Sequence, residues 1–296
     1  MIQRTDVLFL SGEVHCAAWL YQPERQEPHP VIIMAHGLGG TREMRLDAYA
    51  EKFCRAGYAC LVFDYRHFGA SEGQPRQLLD IAHQLQDWRS AVAYARTLDS
   101  LDATRVILWG SSFSGGHVLE VAAADSAIAA AMVQGPFTDG PAACRAMDTL
   151  SLLKVGALAL ADMVGSMFGA APVMVKLVGP RHSAALLTAA DAEPGYLALK
   201  PEHCSFQNQV AARIALSVLR YSPGRQTAKI QCPTLFCICR TDSVAPAGPA
   251  LRYAGQAPDG EVHLCQEGHF AIYLDEAFEQ VSARQLDFLK RKVPFP

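Results

Sequence analysis

The 296-residue sequence lacks long runs of like charge, internal repeats and low-complexity tracts. Its 26 lysine and arginine residues are nearly balanced by 29 aspartate and glutamate residues, giving a net charge of -3. Proteins that bind nucleic acid or an anionic membrane surface usually carry basic patches. The charge pattern therefore predicts neither of these as a partner.

The beginning of the sequence lacks the long apolar segment of a secretory signal, because its run VLFL is short and polar residues follow it. The nine cysteines are an odd number and lie mostly in apolar runs, where free cysteine behaves as a small hydrophobic residue. These features predict a cytoplasmic protein with reduced thiols.

Paired metal-ligand motifs are also missing. Cys237 and Cys239 form a close pair, but no second Cys or His pair follows at ligand spacing. The glycine-rich stretch GSSFSGG lacks the lysine of a phosphate-binding loop and does not fit the dinucleotide-binding pattern. We therefore expect neither a metal nor an organic cofactor.

One stretch, residues 155–175, has nearly the length and apolarity of a spanning helix. Asp162 near its middle, its glycines and Pro172 argue against insertion into a bilayer. The pattern predicts two or more apolar helices that pack on the protein or over a pocket, and no membrane-spanning segment.

Short apolar runs alternate with helix-length segments over most of the chain, which predicts an α/β fold with a mostly parallel, doubly wound sheet. Runs buried on both faces are typical of parallel strands. The segments before residue 30 predict an antiparallel hairpin at one sheet edge. The predicted strands are 30–37, 58–66, 105–110, 128–136, 233–240 and 261–268, and the predicted helices are 41–56, 78–98, 113–124, 245–256 and 270–292.

The alternation is interrupted once, by an alanine- and leucine-rich segment of helical character at residues 138–227. Ligands of parallel α/β sheets bind at the carboxyl ends of the strands, where such an insertion would lie. We expect a core domain of residues 1–137 and 228–296 and a helical cap or lid of residues 138–227.

The stretch GSSFSGG contains three serines, and the steric demands of a sharp strand-to-helix turn distinguish them. A nucleophile at such a turn needs small residues two positions before and after it. Ser111 has a bulky aromatic residue at both positions, whereas Ser112 has Gly110 and Ser114. Centring the turn on Ser114 would extend the strand through residues of poor strand propensity. Ser112 is therefore the predicted nucleophile, with Ser114 as the alternative.

A serine nucleophile needs a base, and the base needs an orienting carboxylate. Asp242 follows the predicted strand 233–240, and His269 follows the last predicted strand. Their order after Ser112 is that of the serine, acid and histidine in α/β hydrolases. Asp139, after the strand 128–136, is the alternative acid.

The negative oxygen of a tetrahedral intermediate requires hydrogen-bond donors. The backbone N–H of Phe113 lies at the start of the helix after the nucleophile, where the helix dipole favours negative charge. The glycine-rich loop AHGLGG offers the backbone N–H of Leu38 as a second donor. His36 in this loop is expected to support the loop and not to act as an acid or base.

Five segments, AHGLGG, FDYRHFGASEG, GSSFSGG, RTDSVAP and EGHFAIY, resemble the α/β-hydrolase superfamily in sequence and in order. The second and last together resemble the dienelactone-hydrolase-like and polyketide-transferase-like branch. Dienelactone hydrolases themselves use a cysteine where this chain has Ser112. The resemblance implies hydrolysis or acyl transfer through an acyl-enzyme, without a cofactor.

These observations predict a serine hydrolase of the carboxylesterase or thioesterase type, acting on a small molecule with a hydrophobic acyl or alcohol group. An acyltransferase that passes the acyl group to an alcohol or amine is the alternative. A non-catalytic binding protein on the same fold is the third hypothesis, and the complete set of site residues disfavours it. A homodimer is expected if the cap exposes an apolar face.

Overall fold

The computed structural model describes residues 2–24 and 28–294, and its sheet and helices follow the predicted alternation. The strands are β1 (Ile2–Ser11), β2 (Val14–Pro23), β3 (His29–Ala35), β4 (Ala59–Phe63), β5 (Leu101–Ser111), β6 (Ile128–Gln134), β7 (Met174–Val178), β8 (Ala185–Leu187), β9 (Val210–Ala211), β10 (Thr234–Cys239) and β11 (Gly260–Cys265). The helices are α1 (Leu46–Arg55), α2 (Ile81–Ala95), α3 (Phe113–Ala124), α4 (Gly140–Ala146), α5 (Thr149–Met167), α6 (Ala192–Ala198), α7 (Ile214–Arg220), α8 (Ala247–Ala254) and α9 (Asp275–Lys292). Short 3-10 helices cover Pro223–Lys229 and Ala271–Tyr273.

The main sheet has eight strands in the order β1-β2-β4-β3-β5-β6-β10-β11. The strands from β4 to β11 in this order pair in parallel. The hairpin β1–β2 lies at one edge, where β2 pairs with β4 in antiparallel orientation. The predicted α/β sheet and its edge hairpin are therefore confirmed.

The central strands are apolar because both of their faces are covered by helices. Every residue of β3, β4 and β10 is buried, as expected for parallel strands between two helical layers. Amphipathic helices supply the covering layers, and in α1 the apolar residues Tyr49 and Phe53 face the sheet while charged residues face solvent.

Between β6 and β10, the inserted segment of residues 138–227 contains helices α4 to α7 together with a small three-stranded sheet of order β8-β7-β9. The helical character of the segment was expected, but the small sheet was not. Its strands have two to five residues, which is too short for a period-two pattern to be recognised in the sequence.

The prediction that the apolar stretch 155–175 forms two or more helices is wrong. A single helix, α5, continues to Met167, and β7 then begins at Met174. Glycine in a helix interior carries only a modest penalty, so Gly156 and Gly165 lie within α5. The break comes at Gly169, where φ is +71°.

Helix α5 is the one described helix that is long and apolar enough to span a membrane by length and composition. Only 22% of its most apolar 18 residues are buried. Its acidic residue Asp162 is buried against the protein, however, and forms an ion pair with Arg213. The expectation that this stretch does not span a membrane remains a prediction.

Candidate active site

Ser112 lies at the turn between β5 and α3, with φ of 57° and ψ of -122°. A non-glycine residue with positive φ is strained, and such strain is typical of functional turns. The turn closes tightly, because a Cβ on Gly110 would lie 2.5 Å from the carbonyl oxygen of Ser114. The steric requirement used to choose among the serines is thus present in the structure.

The three neighbouring serines have different partners. The Ser112 hydroxyl lies 3.0 Å from Nε2 of His269. Ser111 is buried and its hydroxyl bonds to the Tyr273 hydroxyl. Ser114 is also buried and accepts a hydrogen bond from the Tyr65 hydroxyl at 3.1 Å. Of the three, Ser112 is the one that contacts a histidine.

His269 and Asp242 complete a hydrogen-bonded line that starts at Ser112. His269 Nδ1 lies 2.6 Å from Asp242 Oδ2, and both side chains are almost completely buried. A carboxylate can only accept, so Nδ1 carries the proton and Nε2 is left to accept from the serine. The other Asp242 oxygen accepts the backbone N–H groups of Val244 and Ala245 at 2.9 and 2.6 Å, which fixes the carboxylate.

Asp139, the alternative acid, lies at the start of α4 and caps that helix. Its Oδ1 accepts the backbone N–H of Ala142 at 2.9 Å. Its Oδ2 lies 3.2 Å from Arg252 and 3.3 Å from the Tyr253 hydroxyl. Its contacts are therefore those of a capping residue, and the histidine is paired with Asp242.

The loop after β3 approaches the serine closely because it is rich in glycine. A Cβ on Gly37 would lie 2.8 Å from the Ser112 Cβ. Leu38, Ser112 and Phe113 line one cavity. Within the described residues, no hydrogen bond joins the N–H group of Leu38 or of Phe113 to another protein group.

His36 supports this loop, as expected from the sequence. Its Nδ1 accepts the N–H of Gly37 at 2.8 Å, and its Nε2 lies 3.1 Å from the carbonyl oxygen of Met44. Burial lowers the pKa of His36 to about 4. The ring is therefore neutral at physiological pH, with its proton on Nε2.

Asp64, in the segment FDYRHFGASEG, holds the far end of the same loop. Its carboxylate accepts the backbone N–H groups of Arg42 at 2.8 Å and Ala70 at 3.1 Å. A Cβ on Gly69 would lie 2.2 Å from the carboxylate, and this glycine has φ of +52°. The motif therefore stabilises the loop after β3, which in turn contacts Ser112.

Two residues that contact the site were not identified from the sequence. Gly135, directly after β6, has φ of +47°, and a Cβ there would lie 3.1 Å from Nδ1 of His269. Tyr196, in α6, donates a hydrogen bond of 2.6 Å to the carbonyl oxygen of Leu38. In the sequence, a glycine directly after a strand is only a weak indication of the role of Gly135. The contact between Tyr196 and Leu38 spans 158 residues and leaves no local pattern in the sequence.

The candidate nucleophile opens into a cavity of about 480 Å³, a size typical of small-molecule sites. Its walls are mainly apolar and come mostly from the inserted segment 138–227. The core contributes Leu38, Phe113, Phe137 and Val244 around the serine. This arrangement suits a small molecule with a hydrophobic group.

Metal chemistry has no support in the described parts of the chain, where no group of three or more His, Cys, Asp or Glu side chains converges. All nine cysteines are free thiols. Cys237 and Cys239 are buried within β10, in keeping with the packing role predicted for them.

Comparisons with known proteins agree with this geometry. Over 289 residues the chain is 56% identical to the quorum-quenching protein AidA of Acinetobacter baumannii (strain MDR-ZJ06), covering 98% of this chain and 95% of that protein. It is 25% identical over 302 residues to the polyketide transferase ATR5 of Stachybotrys chlorohalonatus (strain IBT 40285), covering 100% and 99% of the two chains. The predicted resemblance to polyketide transferases is therefore confirmed.

The fold is also that of a solved α/β hydrolase. The crystal structure of GrgF from Penicillium sp. sh18 matches with a TM-score of 0.85 and 24% identity, covering 99% of this chain and 100% of that chain. A family model described as serine aminopeptidase, S33, matches residues 26–276. The chain is therefore an enzyme of the α/β-hydrolase fold and belongs to the family described by that model.

Proposed function

We propose that the protein is a serine hydrolase that cleaves a carboxylic ester or thioester through an acyl-enzyme. The observation that carries this proposal is the line of hydrogen bonds from the Ser112 hydroxyl through His269 to Asp242, at 3.0 and 2.6 Å. A serine hydroxyl is a poor nucleophile by itself, and this arrangement supplies both a base and a group that orients the base.

In the proposed reaction, Ser112 Oγ attacks the acyl carbon while its proton passes to Nε2 of His269. Asp242 stabilises the resulting imidazolium. The N–H groups of Leu38 and Phe113 bind the oxygen that becomes negative. Collapse of this intermediate expels the alcohol or thiol, which takes the proton from His269. A water molecule activated by the same histidine then releases the acid.

We propose that residues 1–137 and 228–296 are the catalytic domain and that residues 138–227 are its cap. The support for this division is the origin of the cavity walls, since most lining residues come from the inserted segment. The cap would therefore decide which acyl or alcohol group is accepted. Nine free thiols suit the reducing environment of the cytoplasm, where we place the enzyme.

A small signal molecule is the first substrate to test, because the relative that is 56% identical is named a quorum-quenching protein. Acyl transfer to an alcohol or amine is the second candidate reaction. It is favoured by the similarity to a polyketide transferase over the whole chain. Product analysis with and without an added acceptor distinguishes the two, because only a transferase forms the new ester or amide.

The test is a screen of aryl esters and thioesters of increasing acyl length, run with wild type and Ser112→Ala. We expect Ser112→Ala to lower turnover by a factor on the order of 10⁶, as is typical when a triad nucleophile is removed. A fluorophosphonate probe should label wild type on Ser112.

Ser114→Ala is the matched control, because it removes a hydroxyl of the same turn that does not contact His269. It should retain most of the activity. Loss of activity in this variant with retention in Ser112→Ala would move the nucleophile to Ser114. A folded wild-type protein that is neither labelled nor active would favour the non-catalytic binding protein.

A further inference from the structure

Helix α5 is oriented with its apolar side outward. The residues that it buries form a narrow stripe of small or polar side chains, Ser151, Val155, Ala159 and Asp162. Most of its large apolar side chains, and that of the residue after it, are exposed, which reverses the usual pattern of a surface helix. They are Leu150, Leu152, Leu153, Leu160, Met163, Val164, Met167 and Phe168.

The acidic residue of α5 is turned inward and neutralised. Asp162 accepts bonds of 2.7 and 2.9 Å from the Arg213 side chain, and its carboxylate also accepts the backbone N–H groups of Val173 and Arg213 at 2.8 Å. These contacts anchor the helix in its orientation. Lys154 is then the one charged residue that α5 turns to solvent.

The exposed apolar face is large enough for a stable interface. Met167 and Phe168 are 77% and 83% exposed. With roughly 150–250 Å² for an aromatic side chain and somewhat less for leucine, methionine and valine, the eight partly exposed residues together expose on the order of 800 Å². This is about what each partner buries in a standard protein interface, and patches of this size on monomers are usually functional.

We propose that a second copy of this chain covers this face, with the two α5 helices packed antiparallel across a twofold axis near Leu160. Leu153, Leu160, Val164 and Met167 lie at the centre of the exposed apolar face, because residues three, four or seven positions apart share one side of a helix. A twofold axis makes the same patch serve both subunits.

The charge on α5 favours this occupant over a lipid surface. Lys154 donates a hydrogen bond of 2.8 Å to the carbonyl oxygen of His182 in its own chain, so α5 offers no unpaired cation to anionic headgroups. Helices that lie on anionic membranes instead carry many Lys and Arg residues on their polar face. Helix α5 has a single lysine, and its other face is occupied by the protein.

The interface would also adjoin the cavity. Leu152 lines the cavity and is at the same time 40% exposed, so the partner subunit would shield this part of the wall. The dimer itself is independent of the proposed reaction, and its test uses the oligomeric state alone.

The test measures the molecular mass of the full-length protein by sedimentation velocity at micromolar concentration. We expect a dimer for wild type, and a twofold lower mass for a variant that carries both Leu160→Lys and Val164→Lys. Leu251→Lys is the control, because Leu251 is exposed to a similar extent on α8, and it should remain dimeric. Circular dichroism establishes that each variant is folded.

A second measurement is independent of whether the lysine variant folds. Leu160→Cys places a thiol at the proposed axis and should form a disulfide-linked dimer under mild oxidation, whereas Leu251→Cys should not. A monomeric wild type, or a folded double-lysine variant that remains dimeric, overturns the proposal. A monomer that binds vesicles of phosphatidylglycerol through this face would overturn it in favour of a lipid surface.

Discussion

Gly135 shows how a residue without a side chain can determine the position of others. It contacts both His269 and Asp242 and has φ of +47°. A Cβ at this position would lie 3.1 Å from Nδ1 of the imidazole. Any side chain there meets both the strain of the left-handed region and the buried ring. A side chain at this position would therefore press on the ring that lies 3.0 Å from the Ser112 hydroxyl.

We therefore expect Gly135→Ala to reduce kcat by less than about 10²-fold, because the methyl group would displace the proposed base by a few tenths of an ångström and a misplacement of about 1 Å costs about 10²-fold. Steady-state kinetics on the best aryl ester measures it. Gly248→Ala is the control, since a Cβ there meets nothing within 4 Å, and its activity should be that of wild type. Equal activities of the two variants would show that His269 tolerates the methyl group.

At the scale of elements, helix α6 of the inserted segment contacts the glycine-rich loop that follows β3. The Tyr196 hydroxyl donates to the Leu38 carbonyl oxygen, and its ring packs at 5.8 Å against Phe270, the neighbour of His269. One side chain thus contacts both the proposed oxyanion loop and the segment that carries the proposed base. The inserted segment does more than line the cavity.

Tyr196→Phe should lower kcat about tenfold and leave KM nearly unchanged, because it keeps the ring but leaves a buried carbonyl oxygen without its donor. The expected loss corresponds to about 1.4 kcal/mol, within the range for one unsatisfied buried group. Tyr253→Phe is the control, because it removes a hydroxyl that bonds to Asp139, away from the serine. A lower thermal stability with an unchanged kcat would mean that Tyr196 supports the fold alone.

At the scale of the whole molecule, the buried carboxyl of Asp64 connects the stability of the fold to pH. Burial raises the pKa of Asp64 to about 6, an effect that the nearby Arg42 charge and two N–H groups oppose only in part. In the unfolded chain its pKa is about 3.9. Between these values the folded state binds a proton that the unfolded state does not.

The free energy of unfolding should therefore fall as the pH rises from about 4 to about 6, by up to about 1.4 kcal/mol per pH unit from this group. Urea unfolding of wild type and Asp64→Asn across this range measures the difference, because the variant cannot ionise there. Parallel pH dependences for the two proteins would contradict the raised pKa.

Much of the fold could be predicted because strand and helix patterns repeat locally along the chain. The predicted helix 113–124 matches α3 in the structure, and the strand ends lie within a few residues of the predicted ones, apart from an earlier start of β5 at Leu101. The small sheet of β7, β8 and β9 and the single helix α5 were not predicted. The three strands have only two to five residues, too few for a recognisable strand pattern, and the glycines within α5 suggested a break in the helix.

The sequence by itself determined which residues form the candidate site, because the small residues around Ser112 and the positions of Asp242 and His269 after their strands are local features. Only the tertiary structure decided how that chemistry is held in place. Gly135, Tyr196 and Asp64 contact the site or its loop across long separations in the chain. The tertiary structure also determines that the apolar side of α5 faces outward. The buried ion pair of Asp162 with Arg213 fixes which side of this helix faces the protein.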